Sequence, residues 1–251
     1  MTGRAGDGRC VAGKLRLTLL AAALLASGCG RGEVDKATNS IASAGERMIE
    51  SGGLDPGPIE HSGATGTAGL VERLTLDMFR ATSDDLRNYQ REIEATGIIE
   101  VLGPASVRPL ADVSEGRRRL EAARVIVARY RQRQEDRVAT FERRIQEADI
   151  SERDRQEMLA GFREGVARQR DRSDRSWAIE AQIVDEFNGA LDVLARGGWQ
   201  RSGREYRFSR AADLSAFNAR MATIERIAAE QQRIAAEQMA RQRESLRRMR
   251  R

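Results

Sequence analysis

The chain has 251 residues and a formal net charge of +5, with 32% charged and 4% aromatic residues. This composition is typical of long, solvent-exposed helices rather than of a large aromatic core. A single histidine, His61, and two cysteines argue against the His- and Cys-rich clusters that bind zinc, so we expect no metal and no cofactor.

The only long apolar run lies near the start of the chain. Lys14 and Arg16 precede the ten residues 17–26, which as a helix would reach about 15 Å, or roughly half the thickness of a bilayer's hydrocarbon core. A positive lead-in, a short apolar core and then small residues form the pattern of a secretory signal peptide. We therefore predict export, and no membrane-spanning helix in this segment.

The run ends in LLASGC, residues 24–29, which resembles the lipobox of bacterial lipoproteins except that Ala26 stands where leucine is usual. In that family the cysteine takes a lipid, the signal is cleaved before it, and the new amino terminus is acylated. The resemblance implies that residues 1–28 are removed and that Cys29 carries the lipid. Removal of Cys10 would leave Cys29 as the only cysteine, and lipidation explains an unpaired thiol in an oxidising compartment. The alternative is an ordinary cleaved signal that happens to precede a cysteine.

The residue after the cysteine bears on location. In lipoproteins of enteric bacteria, an aspartate at this position retains the protein in the inner membrane, and here the residue is Gly30. The resemblance therefore implies a protein that is lipid-anchored in the bacterial cell envelope, in the outer membrane and facing the periplasm.

Signal cleavage would also change the charge of the chain. Four basic residues and one acidic residue precede Cys29, so 39 basic and 37 acidic residues remain, and residues 239–251 hold six arginines and one glutamate. An exported protein rarely meets nucleic acid, so we expect no nucleic-acid partner for this cluster. One interpretation is contact with anionic lipid headgroups or another anionic envelope surface. The other is a solvated helix end, where cations suit the helix dipole. The candidate contact residues are Arg247, Arg248, Arg250 and Arg251.

Residues 29–69 are predicted to form a lipid anchor followed by a flexible tether. Residues 34–49 have only a weak helical stripe, and residues 52–69, GGLDPGPIEHSGATGTAG, are dense in glycine and proline. Such a segment neither holds a helix nor builds a core. We expect it to let the domain stand off its membrane. His61 lies here without a histidine or cysteine partner.

Residues 70–251 are predicted to form an all-α domain, an elongated antiparallel helical bundle or coiled-coil αα-hairpin with a small β-hairpin-like insertion near 199–208. Apolar residues recur at alternating three- and four-residue steps, which is typical of helices that pack along their length. The sequence Ser-Asp-Asp at 83–85 indicates a helix cap, and the short connection at 149–150 predicts two antiparallel helices. The predicted helices cover about 70–81, 84–96, 114–148, 151–195 and 209–248.

Two glycines at 197–198 end the longest predicted helix, and the residues after them alternate as in a strand. We interpret 199–208 as a β-hairpin, turning at 202–203, that caps the end of the bundle. The alternative is a surface that binds a ligand or partner by aromatic stacking and cation–π contact. The candidate residues for that surface are Trp199, Arg204, Tyr206 and Phe208.

The last predicted helix contains a tandem heptad, ERIAAEQ at 225–231 and QRIAAEQ at 232–238. Its apolar seam weakens toward the C-terminus, so we expect the distal half to protrude until it meets a second copy or an envelope protein. Residues of about 180–240 are similar to a family of small helical enterobacterial lipoproteins of unassigned function. The similarity is carried by the long helix, the glycine-flanked aromatic hairpin and the Ala-Phe-Asn at 216–218, and it implies no activity.

The sequence does not indicate an enzyme, because its serines lack a histidine base and no glycine-rich phosphate loop is present. The first functional hypothesis is a structural or adaptor lipoprotein that binds another envelope protein. It rests on polar residues at seam positions where a self-sufficient bundle would place apolar ones. The alternative is a ligand-binding or chaperone-like periplasmic module that uses the aromatic hairpin. The polar seam residues are Gln134, Gln169, Ser173 and Glu180.

Overall fold

A computed structural model of the chain describes residues 2–4, 31–102, 111–202 and 205–249. In that part of the chain, five long α-helices and a small sheet confirm the predicted all-α fold with a β-hairpin. The α-helices are α1 (Arg31–Glu50), α2 (Gly66–Ala95), α3 (Ala111–Gln146), α4 (Glu152–Ala195) and α5 (Ala211–Met249), with a 3-10 helix at Ile98–Glu100. The strands are β1 (Thr2–Arg4), β2 (Trp199–Ser202) and β3 (Glu205–Phe208).

The sequence signals at both ends of α4 match its geometry. At the start, the hydroxyl of Ser151 accepts a hydrogen bond from the backbone N–H of Asp154 (3.1 Å), as an N-cap residue does. At the end, Gly197 and Gly198 both have a φ close to +70°, a conformation that favours glycine and stops a helix.

The chain divides into two compact units. Helices α2, α3, α4 and α5 each contribute one part to each unit, whereas α1 belongs wholly to the second unit. Of the described residues, the first unit contains 2–4, 89–102, 111–130, 175–202 and 205–234. The second unit contains 31–88, 131–174 and 235–249.

The core of the second unit is built from α1, α2, α3 and α4. Phe141 of α3 and Phe162 of α4 stack with their ring centroids 4.6 Å apart, and Met48 of α1 and Phe79 of α2 belong to the same cluster. Burial of these apolar side chains supplies the main stabilisation of the unit. The buried members of the cluster are Ile41, Ala44, Met48, Val71, Leu74, Leu76, Phe79, Phe141, Ile145, Met158 and Phe162.

The sheet belongs to the first unit. Strands β2 and β3 pair antiparallel, with Trp199 opposite Phe208, and β1 pairs antiparallel with the other edge of β3, with Gly3 opposite Tyr206. Strand β1 lies in the segment that cleavage before Cys29 would remove. The β2–β3 pairing does not depend on it.

The structure contradicts the predicted flexible tether over residues 31–65. Residues 31–50 form α1, and three of its side chains, those of Ala37, Ile41 and Ala44, are almost completely buried. The weak helical stripe arises because much of the buried face consists of alanines, which carry little hydrophobic signal but allow close helix packing.

The Gly/Pro-rich segment after α1 runs back along that helix. The guanidinium group of Arg47 donates to the carbonyls of Pro56 (2.7 Å) and Pro58 (3.0 Å), and the hydroxyl of Ser40 donates to the carbonyl of Glu60 (3.0 Å). These bonds occupy backbone carbonyls that no helix or strand uses. The segment is therefore held by its backbone rather than by a hydrophobic pattern.

The predicted helices at 70–81 and 84–96 are one continuous helix, α2. Ser83 does not cap a second helix: its side chain is fully buried, and its hydroxyl donates to the carbonyl of Gly53 (2.9 Å). Arg137 of α3 pairs with Asp85 and donates to the hydroxyl of Thr82 (2.9 Å). Ser83 and Asp85 therefore face partners in other elements of the second unit.

The distal half of α5 also differs from prediction. The side chains of Gln238, Gln242 and Leu246 are buried, and Leu246 packs against Ala42 and Ile49 of α1. A partner for this part of the helix is therefore supplied by the same chain. The sequence pattern does not indicate this partner, because much of the buried face of α1 consists of alanines.

Candidate functional site

The aromatic residues of the hairpin point into the first unit. The ring centroids of Trp199 and Tyr206 are 5.4 Å apart, and Phe217 of α5 lies 5.3 Å from Tyr206 and 5.4 Å from Phe208. Tyr206 has no exposed surface, and its hydroxyl donates to the carbonyl of Leu102 (3.0 Å).

Burial of this cluster counts against the predicted ligand-binding surface. Tyr206 and Phe208 are buried, and the indole N–H of the half-buried Trp199 donates to the carbonyl of Leu194 (2.7 Å). The polar atoms that a ligand would need are thus bonded to the chain's own backbone. Arg204, the fourth candidate residue, lies outside the described residues.

The arginine cluster at the C-terminus remains accessible in part. Arg247 and Arg248 are exposed, and Arg248 pairs with Glu244 one turn earlier (3.1 Å), while Arg250 and Arg251 lie outside the described residues. Leu246 fixes the base of the cluster on α1. Both arginines are therefore presented to solvent by a packed helix.

The polar seam residues find partners within the chain. In the second unit, the side-chain amide of Gln134 donates to the hydroxyl of Ser173 (2.7 Å), which joins α3 to α4. The side chain of Gln169 is likewise not without a partner. The polar seam is thus no evidence for a missing partner helix, which removes one of the arguments for an adaptor surface.

Glu180 is the most unusual of these residues. Its side chain is 6% exposed in the first unit, where the hydroxyl of Tyr89 donates to one carboxylate oxygen (3.1 Å) and the amide of Gln231 donates to the other (2.5 Å). The three residues come from α4, α2 and α5. Among the described residues no cation pairs with this carboxylate.

Burial dominates the titration of this group. Loss of solvation raises the pKa of Glu180 to about 7, while the hydrogen bonds from Tyr89 and Gln231 lower it. Burial, and then the nearby Glu180 charge, raise the pKa of Tyr89 well above its ordinary value. Glu180 therefore changes charge near neutral pH.

A small cavity adjoins Glu180. Its walls are otherwise apolar and aromatic, and it has an empty volume of about 340 Å³ that includes its opening to solvent. Much of that volume belongs to the opening, and the enclosed part has room for about one water molecule. The cavity is thus suited to hydrating a buried carboxylate rather than to holding an organic ligand. Its lining residues are Tyr89, Ile93, Ile98, Val127, Glu180, Ile183, Val184 and Phe187.

Two aromatic rings pack against the ring of Tyr89, whose hydroxyl binds Glu180. Tyr89 makes edge-to-face contacts with Tyr130 (5.4 Å) and Trp177 (6.0 Å), and the hydroxyl of Tyr130 donates to Glu92 (2.8 Å). Edge-to-face packing adds to the stability that burial alone provides. Apart from the polar positions in the seam, the sequence offered no signal for this cluster.

In the described ranges no group of three or more His, Cys, Asp or Glu residues is arranged to hold a metal ion, and His61 is exposed in the segment that follows α1. None of the helices in those ranges combines the length and hydrophobicity needed to cross a bilayer.

Comparison of the chain with protein-family models, with curated proteins and with solved structures finds no match in any of the three.

Proposed function

We propose that this protein is a bacterial envelope lipoprotein, attached to a membrane through a lipid on Cys29, whose helical body is a structural or adaptor module for protein interaction. The observation that carries the proposal is the sequence LLASGC at 24–29, at the end of an apolar run too short to span a bilayer. Several acyl chains at Cys29 would hold the protein stably on a membrane, whereas a single acyl chain binds a membrane only marginally.

The composition of the surface supports interaction through polar groups. Among the described residues, Val125 is the one large hydrophobic side chain that is exposed, so no broad apolar patch marks a docking site. The helices instead present arginines and carboxylates, including the exposed pairs Arg117–Asp192 and Arg124–Asp185. A protein partner would therefore meet a charged surface, and its binding would weaken as salt increases.

The anchor is tested by metabolic labelling in a Gram-negative host. Cells that express the full chain are grown with an alkyne analogue of palmitate, and the protein is then captured by click chemistry. We expect the label on wild type and its loss in Cys29→Ser, with the variant released from the membrane fraction. Cys10→Ser is the matched control, because it removes the other cysteine and should leave label and location unchanged. A labelled Cys29→Ser protein would disprove the assignment.

The adaptor role is tested by photo-crosslinking in intact cells. A photoreactive amino acid is placed at exposed positions of α3 and α4, such as Arg117 and Arg170, and at the buried position Leu120 as a control. We expect one discrete crosslinked protein from an exposed position and none from Leu120. If exposed positions along the length of both helices capture no protein, the adaptor role is rejected while the anchor stands.

A further inference from the structure

We propose that one end of the second unit, where α1, α2 and α4 begin, lies against the lipid headgroups of the membrane. We call it the basal end and define it by residues 31–36, 63–67 and 148–155. The inference deepens the proposed function and rests on it, because it takes the lipid at Cys29 as given. The sequence predicts a tether that holds the domain away from the membrane. The present inference places the domain directly on the membrane surface.

The link between the lipidated cysteine and the first helix is short. Only Gly30 separates Cys29 from Arg31, the first residue of α1. Two residues of fully extended chain span about 7 Å, so the lipidated cysteine stays within that distance of the helix in any conformation. The anchor therefore leads directly into a helix.

The start of α1 is fixed to the rest of the second unit. The carboxylate of Glu33 accepts hydrogen bonds from the backbone N–H (2.6 Å) and the hydroxyl (3.1 Å) of Thr65, and Val34 packs against a cluster that includes Ala64 and Ala68. Farther along the helix, Ile41 and Met48 belong to the core of the second unit. The helix cannot swing away as a separate arm without losing these contacts.

The first turns of α2 and α4 lie at the same end as the start of α1. The hydroxyl of Thr67, in the first turn of α2, donates to the carboxylate of Asp154 in the first turn of α4 (2.9 Å). Arg155 in turn donates to the carbonyls of Ala148 and Ile150 in the turn between α3 and α4 (3.1 and 3.4 Å). Contacts within the second unit thus bring the α3–α4 turn to the end where α1 starts.

The basal end differs in charge from the arginine cluster of α5. Arg31, Lys36 and Arg153 lie there together with Glu33, Asp35 and Glu152, so the surface carries both signs. Contact with lipid would follow from the short covalent link rather than from attraction to anionic headgroups. Salt should therefore leave it unchanged, whereas salt would weaken a contact made by arginines.

The test uses a fluorophore on a single engineered cysteine. In the lipidated protein the sulfur of Cys29 is blocked and Cys10 has been removed, so Asp149→Cys provides the one free thiol, at an exposed position in the α3–α4 turn. The labelled protein is reconstituted into vesicles of phosphatidylethanolamine and phosphatidylglycerol that contain a lipid with a nitroxide on its headgroup. We expect the nitroxide to quench most of the emission, equally at low and high salt.

Asp84→Cys is the matched control. Asp84 is also an exposed aspartate of the second unit, and it lies seventeen residues after Thr67 on α2, or about 26 Å along the helix. We expect no loss of emission from a label at this position. Equal quenching at 149 and 84, or quenching at neither, would overturn the proposal.

A spacer variant tests whether the short link is the cause. About twenty Gly and Ser residues inserted between Gly30 and Arg31 add a flexible chain of roughly 25 Å, which should keep the protein on the vesicles but abolish quenching at 149. Unchanged quenching would overturn the inference.

Flotation with the vesicles is scored first. Protein that does not float overturns the proposed anchor and this inference with it, whereas protein that floats without quenching at 149 overturns this inference alone.

Discussion

Glu180 carries a carboxylate in the interior of the first unit, with two hydrogen-bond donors and no cationic partner among the described residues. A buried charge of this kind costs stability, because hydrogen bonds replace only part of the solvation that the ion loses. The same burial makes the carboxylate titrate near neutral pH.

This pKa predicts a pH dependence of stability. The pKa of Glu180 is about 7 in the folded protein, against an ordinary value of 4.5, so the folded state binds more protons between these values. The contribution of protonated Glu180 to the stability of the folded state is fully present below about pH 4.5 and is lost as the pH rises through 7. The difference between the two pKa values corresponds to about 3 kcal/mol in the free energy of unfolding. Urea unfolding of wild type and Glu180→Gln at about pH 5 and about pH 8 measures it.

We expect wild type to lose stability between these two pH values and Glu180→Gln to lose much less. Tyr89→Phe is a useful second variant, because it removes a donor that favours the ionised form and should move the wild-type transition to higher pH. An equal pH dependence in wild type and Glu180→Gln would contradict the assignment.

Sequence reasoning could predict only half of this site. The heptad pattern indicated that Glu180 occupies a seam position, which is correct. It could not identify the donors, since Tyr89 and Gln231 lie 91 and 51 residues away in the sequence. Hydrophobic periodicity describes which face of a helix is buried, but not which polar atoms meet there.

Among the elements, the long α3–α4 pair and the β2–β3 hairpin were the most predictable. Each has strong local signals, either a long periodic stripe or a pair of helix-stopping glycines followed by alternation. Helix α1 was missed because alanine packing and carbonyl hydrogen bonds hold it and the segment after it. The break predicted in α2 was wrong because Ser, Asp and Asp serve equally as a cap and as tertiary hydrogen-bonding groups.

The hairpin yields a prediction about its role. If it caps the first unit, Trp199→Ala should lower the free energy of unfolding by about 2 kcal/mol, because the variant loses apolar burial, the ring contact with Tyr206 and the bond to Leu194. Thermal or urea unfolding measures the change. Gln200→Ala, at an exposed neighbouring position, should change stability little. A Trp199→Ala protein as stable as wild type would instead favour a binding role.

The distal half of α5 yields a second prediction. Leu246→Ala should destabilise the protein by about 2 kcal/mol, because it leaves a void against Ala42 and Ile49 of α1. Arg247→Ala is the control at the adjacent exposed position and should have little effect on stability. Equal stability of both variants would show that the distal half packs weakly and is free for another partner.

In the molecule as a whole, charged residues serve mainly to solvate long helices. Pairs such as Arg131–Asp174 and Arg163–Glu142 join α3 to α4 on the surface of the second unit, and exposed pairs of this kind contribute little stability each. They do make exposed helix faces polar.

The proposed lipid anchor is inferred from the sequence alone, whereas the proposed position of the second unit at the membrane is inferred from the structure. The resemblance to a lipobox rests on a few residues of the sequence, whereas the packing of residues 31–65 on the second unit is seen only from the contacts of α1 with the segment that follows it. Together they support the proposal that the second unit lies at the headgroup surface.

The mass of the N-terminal tryptic peptide tests the central claim most directly. Trypsin cuts after Arg31, so protein purified from membranes should yield the tripeptide that begins at Cys29 and ends at Arg31. We predict that this peptide carries a diacylglyceryl group on the cysteine sulfur and an acyl chain on its amino group. An unmodified tripeptide, or a peptide that reads through Gly28 into Cys29, would contradict the account.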